Sequence, residues 1–248
     1  MEAAQRFVLR ATYVERGRLA MLSHLEVART IERTIRRAGL PYAVSQGFSP
    51  HMKVAFGAAL PVGVGSVCEI FDMQLTEYVA PERALASLQA SCPPDLMVQS
   101  CAYIGSKEKA ASVAFPISTY EVVLSRPVRR IEAPDSISVV RKRKEKVLVV
   151  ADFLVSGFSP VEEGCPAAEH SRDCDRWRFS LEAKASGSLR PDALLRACLE
   201  RMNARVFAGA ETLRIVSITR VDQRSEWRLC GPIRKPPALF AGSRQPVS

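Results

Sequence analysis

The stretch Leu22–Pro41, LSHLEVARTIERTIRRAGLP, decides how the rest of this chain is read. Ser23 followed three residues later by Glu26 is a capping box, in which each residue satisfies a backbone or side-chain donor of the other, and Gly39 then Pro41 mark a helix stop. The pattern predicts a helix from about His24 to Ala38. At about 100° per residue, Leu25, Ala28, Ile31, Glu32, Ile35 and Ala38 fall on one arc, while Arg29, Arg33, Arg36 and Arg37 fall on the opposite one. One face is expected to pack and the other to form an arginine stripe.

Outward from this helix the chain alternates in type. Before it, FVLRATYV (Phe7–Val14) alternates as a strand does. After it, strands are expected near Lys53–Phe56 and Cys68–Leu75, a helix opened by Pro81, and a strand near Met97–Ile104. Strand, helix, strand, strand, helix, strand is the split βαβ, or ferredoxin-like, order. A polar linker at Gly105–Ser112 precedes further strands in TYEVVLSRP, KVLVVADFLVSGF and RWRFSLEAKAS, a helix from Pro191, and a strand in ETLRIVSITRVDQ. That repeats the first half, with its missing first helix assigned to RPVRRIEAPDSISVVRKR, a poor helical sequence. The expected class is α+β, two tandem ferredoxin-like (βαββαβ) domains over residues 1–110 and 113–224, the second degraded, with a flexible tail over 225–248 and a groove between the halves.

Composition narrows the function classes. The 248 residues are 47% hydrophobic and 25% charged, with 35 Lys+Arg against 26 Asp+Glu, a net charge of +9. This is a globular composition. No run approaches the ~18 apolar residues needed to span a bilayer, and the N-terminus lacks the apolar core of a secretory signal, so a soluble cytoplasmic protein with no membrane contact is expected. Seven scattered cysteines with no CxxC fit reduced thiols. Residues 1–112 hold 12 Lys+Arg against 10 acids and residues 113–248 hold 23 against 16. A basic excess of this kind attracts polyanions and makes their affinity salt-dependent.

PVGVGSVC fails the dinucleotide fingerprint in spacing and context, and no phosphate-loop sequence of the Walker type occurs. Cys165, His170 and Cys174 offer three donors for zinc, but in an acidic loop without a CxxC pair they read as ordinary surface, so no metal and no cofactor are expected. Among three histidines, His24 is the candidate catalytic acid or base, and His51 is a contact residue beside Lys53. Glu26 and Glu32 are too few to neutralise the stripe, so Arg29, Arg33, Arg36 and Arg37 keep a positive potential. Lys53 and the run Arg141, Lys142, Arg143, Lys144 continuing to Lys146 add further phosphate contacts, and Phe48 or Trp177 would stack a base.

The residues from Leu22 to Leu75 resemble the signature of a bacterial family of unknown function, the radical-SAM-linked protein family. The likeness is carried by Ser23, His24, Leu25 and Glu26 at the helix start, with Glu26 where Asp is commoner, and by Arg36, Arg37, Ala38, Gly39, Leu40 and Pro41 at its end. It continues in the loop Ser45, Gly47, Phe48, Pro50 and the turn Leu60, Pro61, Gly63, Ser66, Glu69, and more loosely over nearly the whole chain. The resemblance implies a partner, a radical S-adenosylmethionine enzyme encoded beside or fused to such proteins. This chain lacks the three-cysteine cluster motif that such an enzyme needs. A more distant architectural likeness is to the CRISPR repeat endoribonucleases, at the level of fold alone. The expected function is an RNA-binding accessory protein for tRNA or rRNA modification or processing. The alternatives are a metal-independent endoribonuclease using His24 and a protein-only adaptor.

Overall fold

The computed structural model describes residues 7–105, 107–141, 144–161, 175–204 and 211–225. It is a mixed α and β structure in which one large sheet carries helices on the face that buries its apolar side chains. The first half runs β1 (Phe7–Glu15), a 3-10 turn at Gly17–Met21, α1 (His24–Arg37), β2 (Val54–Phe56), β3 (Gly65–Leu75), α2 (Pro81–Ser91) and β4 (Val98–Tyr103). A short α3 (Ala111–Ala114) leads into β5 (Ile117–Leu124), β6 (Ser136–Arg141), β7 (Lys144–Val149), β8 (Leu154–Pro160), β9 (Asp175–Glu182), α4 (Pro191–Asn203) and β10 (Ile215–Arg224).

The eight-stranded sheet has the order β4-β1-β3-β10-β5-β9-β8, with β2 also on β3, while β6 and β7 pair only with each other. β1 lies antiparallel to β3, from Phe7 opposite Leu75 to Tyr13 opposite Glu69. The period of two therefore sends Leu9, Ala11 and Tyr13 to the same face as Phe71, Met73 and Leu75. Val27, Ile31 and Ile35 of α1 and Ala84 and Leu88 of α2 cover that face. A second core gathers Tyr120, Val122, Leu124, Phe179 and Leu181 under Leu194, Leu195 and Cys198 of α4 and under Ile137 and Leu148 of β6 and β7. Leu60 and Val64, from the loop between β2 and β3, belong to this second core. The Leu60-Pro61-x-Gly63 turn is thus a plug from one half into the other.

The join is strand to strand. β3 has one long edge, and two strands share it: β2 takes Phe71 to Met73 and β10 takes Gly65 and Ser66 in parallel. Gly65 is crowded on its other side, where a Cβ would stand 3.3 Å from the Glu15 carbonyl oxygen of β1, while β10 lies at ordinary contact distance, 3.8 Å from the Ile218 carbonyl oxygen. The groove expected between the halves is closed along this line by backbone pairing.

Three expectations are corrected. The helix placed in RPVRRIEAPDSISVVRKR is the hairpin β6–β7, because Pro127 and Pro134 remove helical donors and Ile137, Val139 and Val140 are β-branched residues. KVLVVADFLVSGF is two strands divided by a 3-10 turn at Val150–Asp152, where the chain leaves the hairpin for the main sheet. In α1 the buried arc is Val27, Ile31, Thr34 and Ile35. Leu25 lies about 130° from its centre and is 58% exposed among the arginines.

Candidate nucleic-acid interface

α1 is placed by its ends. The Ser23 backbone N–H and hydroxyl donate to Glu26 Oε2 at 2.8 and 2.7 Å, and the Glu26 N–H donates back to Ser23 Oγ at 3.4 Å. These bonds, the side-chain one foremost, hold the Glu26 carboxyl below its ordinary pKa. At the other end Gly39 takes φ +65°, the left-handed turn that stops a helix. Ser23→Ala is expected to cost about 1 kcal/mol of stability, read as a lowered denaturant midpoint with an unchanged slope.

Between those ends, Arg29, Arg33, Arg36 and Arg37 are all exposed. Arg36 pairs with Glu32 at 3.4 Å, an exposed contact of small worth. Arg29, Arg33 and Arg37 have no ion-pair partner among the described residues. They stand four residues apart, about 6 Å of helix rise per step, in a row on the outer face with Leu25 beside them.

The other candidates are distributed around this row. His24, at the first helical position, is exposed and meets the Phe56 ring edge to face, 5.5 Å between centroids. Among the described residues no carboxylate or second imidazole is within hydrogen-bond reach of it. Phe48 crowns a tight loop closed by the Val44–Met52 bridge. The Ser45 N–H donates to the His51 carbonyl at 2.8 Å, and the His51 N–H donates to Ser45 Oγ at 2.9 Å. Gly47 at φ +128° turns the tip, and the Phe48 ring is fully exposed, as is His51 in large part. This loop leaves the sheet where Tyr42 faces Leu75, while the Phe56 under His24 faces Phe71. Four residues of strand, about 13 Å, therefore separate the His24 end of α1 from the Phe48 end.

Lys53 is turned away from the stripe. It lines a cavity of about 480 Å³ with Asp72 and Gln74, on the sheet face opposite α1. Trp177 is buried, with its indole N–H donating to Asp175 Oδ2 at 2.6 Å, so it does not serve as a stacking platform. Arg141 and Lys144 face each other at the end of the β6–β7 hairpin, in the other half. Lys142, Arg143, Cys165, His170 and Cys174 lie outside the described residues, as does the tail from 226 onward. Among the described residues no cluster of metal ligands occurs and no helix is long and apolar enough to cross a membrane.

Sequence patterns did not reveal the buried charges at the join. Arg220 of β10 is 2% exposed and donates from Nη1 to Glu69 Oε1 and Oε2 at 2.8 and 3.1 Å and to the Ala58 carbonyl at 2.9 Å. Its Nε and Nη2 donate to the Tyr120 hydroxyl at 3.3 and 3.2 Å. Burial disfavours its charge, but Glu69 and then Tyr120 outweigh this and raise its pKa. Glu15, equally buried, accepts no hydrogen bond from the described residues. Burial, then Glu69, pushes its carboxyl up to about 7. Cys68 beside them is pushed up to about 12 by burial first and Glu69 second, so it is an inert thiol. The one sequence signal was Glu69 itself, an acid closing the Leu-Pro-x-Gly-x-x-Ser-x-x-Glu turn.

A family model described as "Uncharacterized protein conserved in bacteria (DUF2344)" matches residues 8–191, from β1 to the first residue of α4. No curated protein matches the chain.

Proposed function

As the chain belongs to this family of uncharacterized proteins conserved in bacteria, its own surface carries the functional reading, and we propose that it is an RNA-binding accessory protein, cytoplasmic, acting on tRNA or rRNA beside a radical S-adenosylmethionine enzyme. The observation that carries the RNA reading is the row Arg29, Arg33 and Arg37, exposed and in no ion pair among the described residues, with only Glu26 near enough to Arg29 to feel its charge, on one face of a well-capped helix. Unpaired guanidiniums in a row suit successive backbone phosphates. Phe48 supports RNA in particular, because splayed bases of loops and bulges stack on exposed aromatic rings. The enzyme partner rests on the sequence resemblance alone.

On the same footing we read the two halves as tandem ferredoxin-like units over 1–110 and 113–224. The strand orders β4-β1-β3-β2 and β10-β5-β9-β8 support it, with the β6–β7 hairpin standing where the second unit's first helix would be. A nuclease reading is weaker, since His24 lacks an orienting partner. A protein adaptor draws support from Met21 and Leu25, both largely exposed.

The test is a filter-binding titration of tRNA in rising salt. Arg29→Ala/Arg33→Ala/Arg37→Ala is expected to weaken binding about tenfold and to reduce the salt slope by about two to three. A flat salt dependence, or no RNA bound at low salt, overturns the reading. A partner enzyme pulled down equally well after nuclease treatment and in moderate salt would favour the adaptor instead.

A further inference from the structure

The hairpin that replaces a helix creates a cleft. β6 and β7 turn Ile137, Val139 and Leu148 inward, and the register that sets Val139 opposite Lys146 places Lys146 on the same face. Between this face and the start of α4 lies a cleft of about 420 Å³, within the size range of small-ligand sites. Its floor is apolar and its rim is cationic. Lys146 Nζ donates to the Ser186 carbonyl at 3.0 Å, over a turn in which Gly187 adopts φ +141°. Facing it across the cleft, Arg190 grips Asp192 with Nε and Nη2, both at 3.0 Å, and Arg196 reaches the same carboxylate at 3.4 Å.

The polar groups do not balance. Among the described residues of the lining, Lys146, Arg190 and Arg196 stand against Asp192 and Glu200, which leaves one positive charge over. Lys146 retains two N–H donors, Arg190 retains Nη1, and Arg196 retains Nε and Nη1. The two-pronged pair with Asp192 orients Arg190, while the exposed Arg196 touches the same carboxylate only at 3.4 Å and stays free to turn toward a ligand. Spare N–H donors above an apolar floor fit a group that is anionic at one end and flat and weakly polar at the other.

We propose that this cleft binds a nucleotide unit, with the phosphate on Lys146, Arg190 and Arg196 and the sugar or base against Ile137 and Leu148. The site is separate from the α1 row and stands whether or not that row binds RNA. The same chemistry is offered by a free mononucleotide and by one residue of an RNA strand.

Footprinting of the full chain decides between these. Lysines are acylated with an amine-reactive reagent, and Lys146 and Lys53 are quantified by mass spectrometry in the presence of AMP, a short single-stranded RNA, or inorganic phosphate. Lys146 labelling is expected to fall about fivefold or more with AMP, with the RNA, or with both, while Lys53 responds to AMP by less than twofold. AMP protection marks a mononucleotide site, and protection by RNA alone marks a strand site. Arg196→Glu, at an exposed position, is expected to abolish the protection. Keeping AMP protection in the Arg29→Ala/Arg33→Ala/Arg37→Ala variant shows that the cleft acts independently of the α1 row, and loss of it there overturns that independence. Unchanged Lys146 labelling in all three solutions overturns the proposal, and so does equal protection by inorganic phosphate.

Discussion

Arg220→Ala is expected to destabilise the protein by about 3–5 kcal/mol, the cost of leaving a buried charge without its partner. In the wild type one guanidinium serves the buried Glu69 carboxylate and Tyr120 hydroxyl and the half-buried Ala58 carbonyl at once. Alanine strands the Glu69 carboxylate beside Glu15 and opens a cavity at the join. Denaturant unfolding should show a midpoint shifted far down. Arg220→Met with Glu69→Leu, which removes both charges and keeps much of the volume, should recover most of the loss. A single variant within 1 kcal/mol of the wild type would show that the ion pair is unimportant to the join.

The second large effect is a pH dependence centred on Glu15. Its carboxyl titrates at about 7 in the fold against an ordinary value of 4.5, because burial and then Glu69 oppose its ionisation while Arg220 favours it less strongly. The groups facing it are Glu69 from β3, Arg220 from β10 and the Tyr13 hydroxyl from β1, whose own pKa is raised well above the ordinary value by burial and then by Glu69. Between these two values the folded chain holds a proton that the unfolded chain has released, so stability falls as pH rises from about 4.5 to 7 and is level above that. The fall is about 3 kcal/mol. Glu15→Gln should lack this component and be about 2–3 kcal/mol more stable than the wild type at pH 8, with the two converging near pH 4. Parallel stability curves for the two proteins from pH 4 to pH 8 would show that Glu15 is solvated.

How much of this was legible from residues alone varied with the kind of signal. Ser23, Glu26 and Gly39 act on their immediate neighbours, so α1 was readable to within a residue. The strand β1 was readable because its apolar residues alternate, whereas β3, buried on both faces from Glu69 to Met73, was readable from its apolar and β-branched content and its flanking turn residues. The hairpin was not, since a presumed repeat of the first half overrode the two prolines and the β-branched run that argued for strands. Leu25 is apolar yet lies off the buried arc, because that arc centres on Val27, Ile31 and Ile35 and an apolar residue alone does not fix the centre. Trp177 alternates with Phe179 and Leu181, and that pattern already put it inside. Arg220 was invisible for a different reason. In Ile218-Thr219-Arg220 nothing local distinguishes an inward arginine from an outward one, and its partner is 151 residues away in the chain. Of the candidate site, the arginine row was legible from the helical wheel, whereas the cleft on Lys146 and Arg190 depends on a tertiary pairing that no local pattern encodes.

The single edge of β3 that accepts both β2 and β10 bears on how such a protein can be inherited. A recombination event that broke the gene in the linker would separate two stretches that look like modules. The first would keep Glu15 and Glu69 buried with no cation and half a strand edge bare, and the second would lose Leu60 and Val64 from its core. Neither fragment could be shuffled into a new context without the other. The two halves are therefore bound to stay together in one chain, and a substitution along the line where they meet is felt by both.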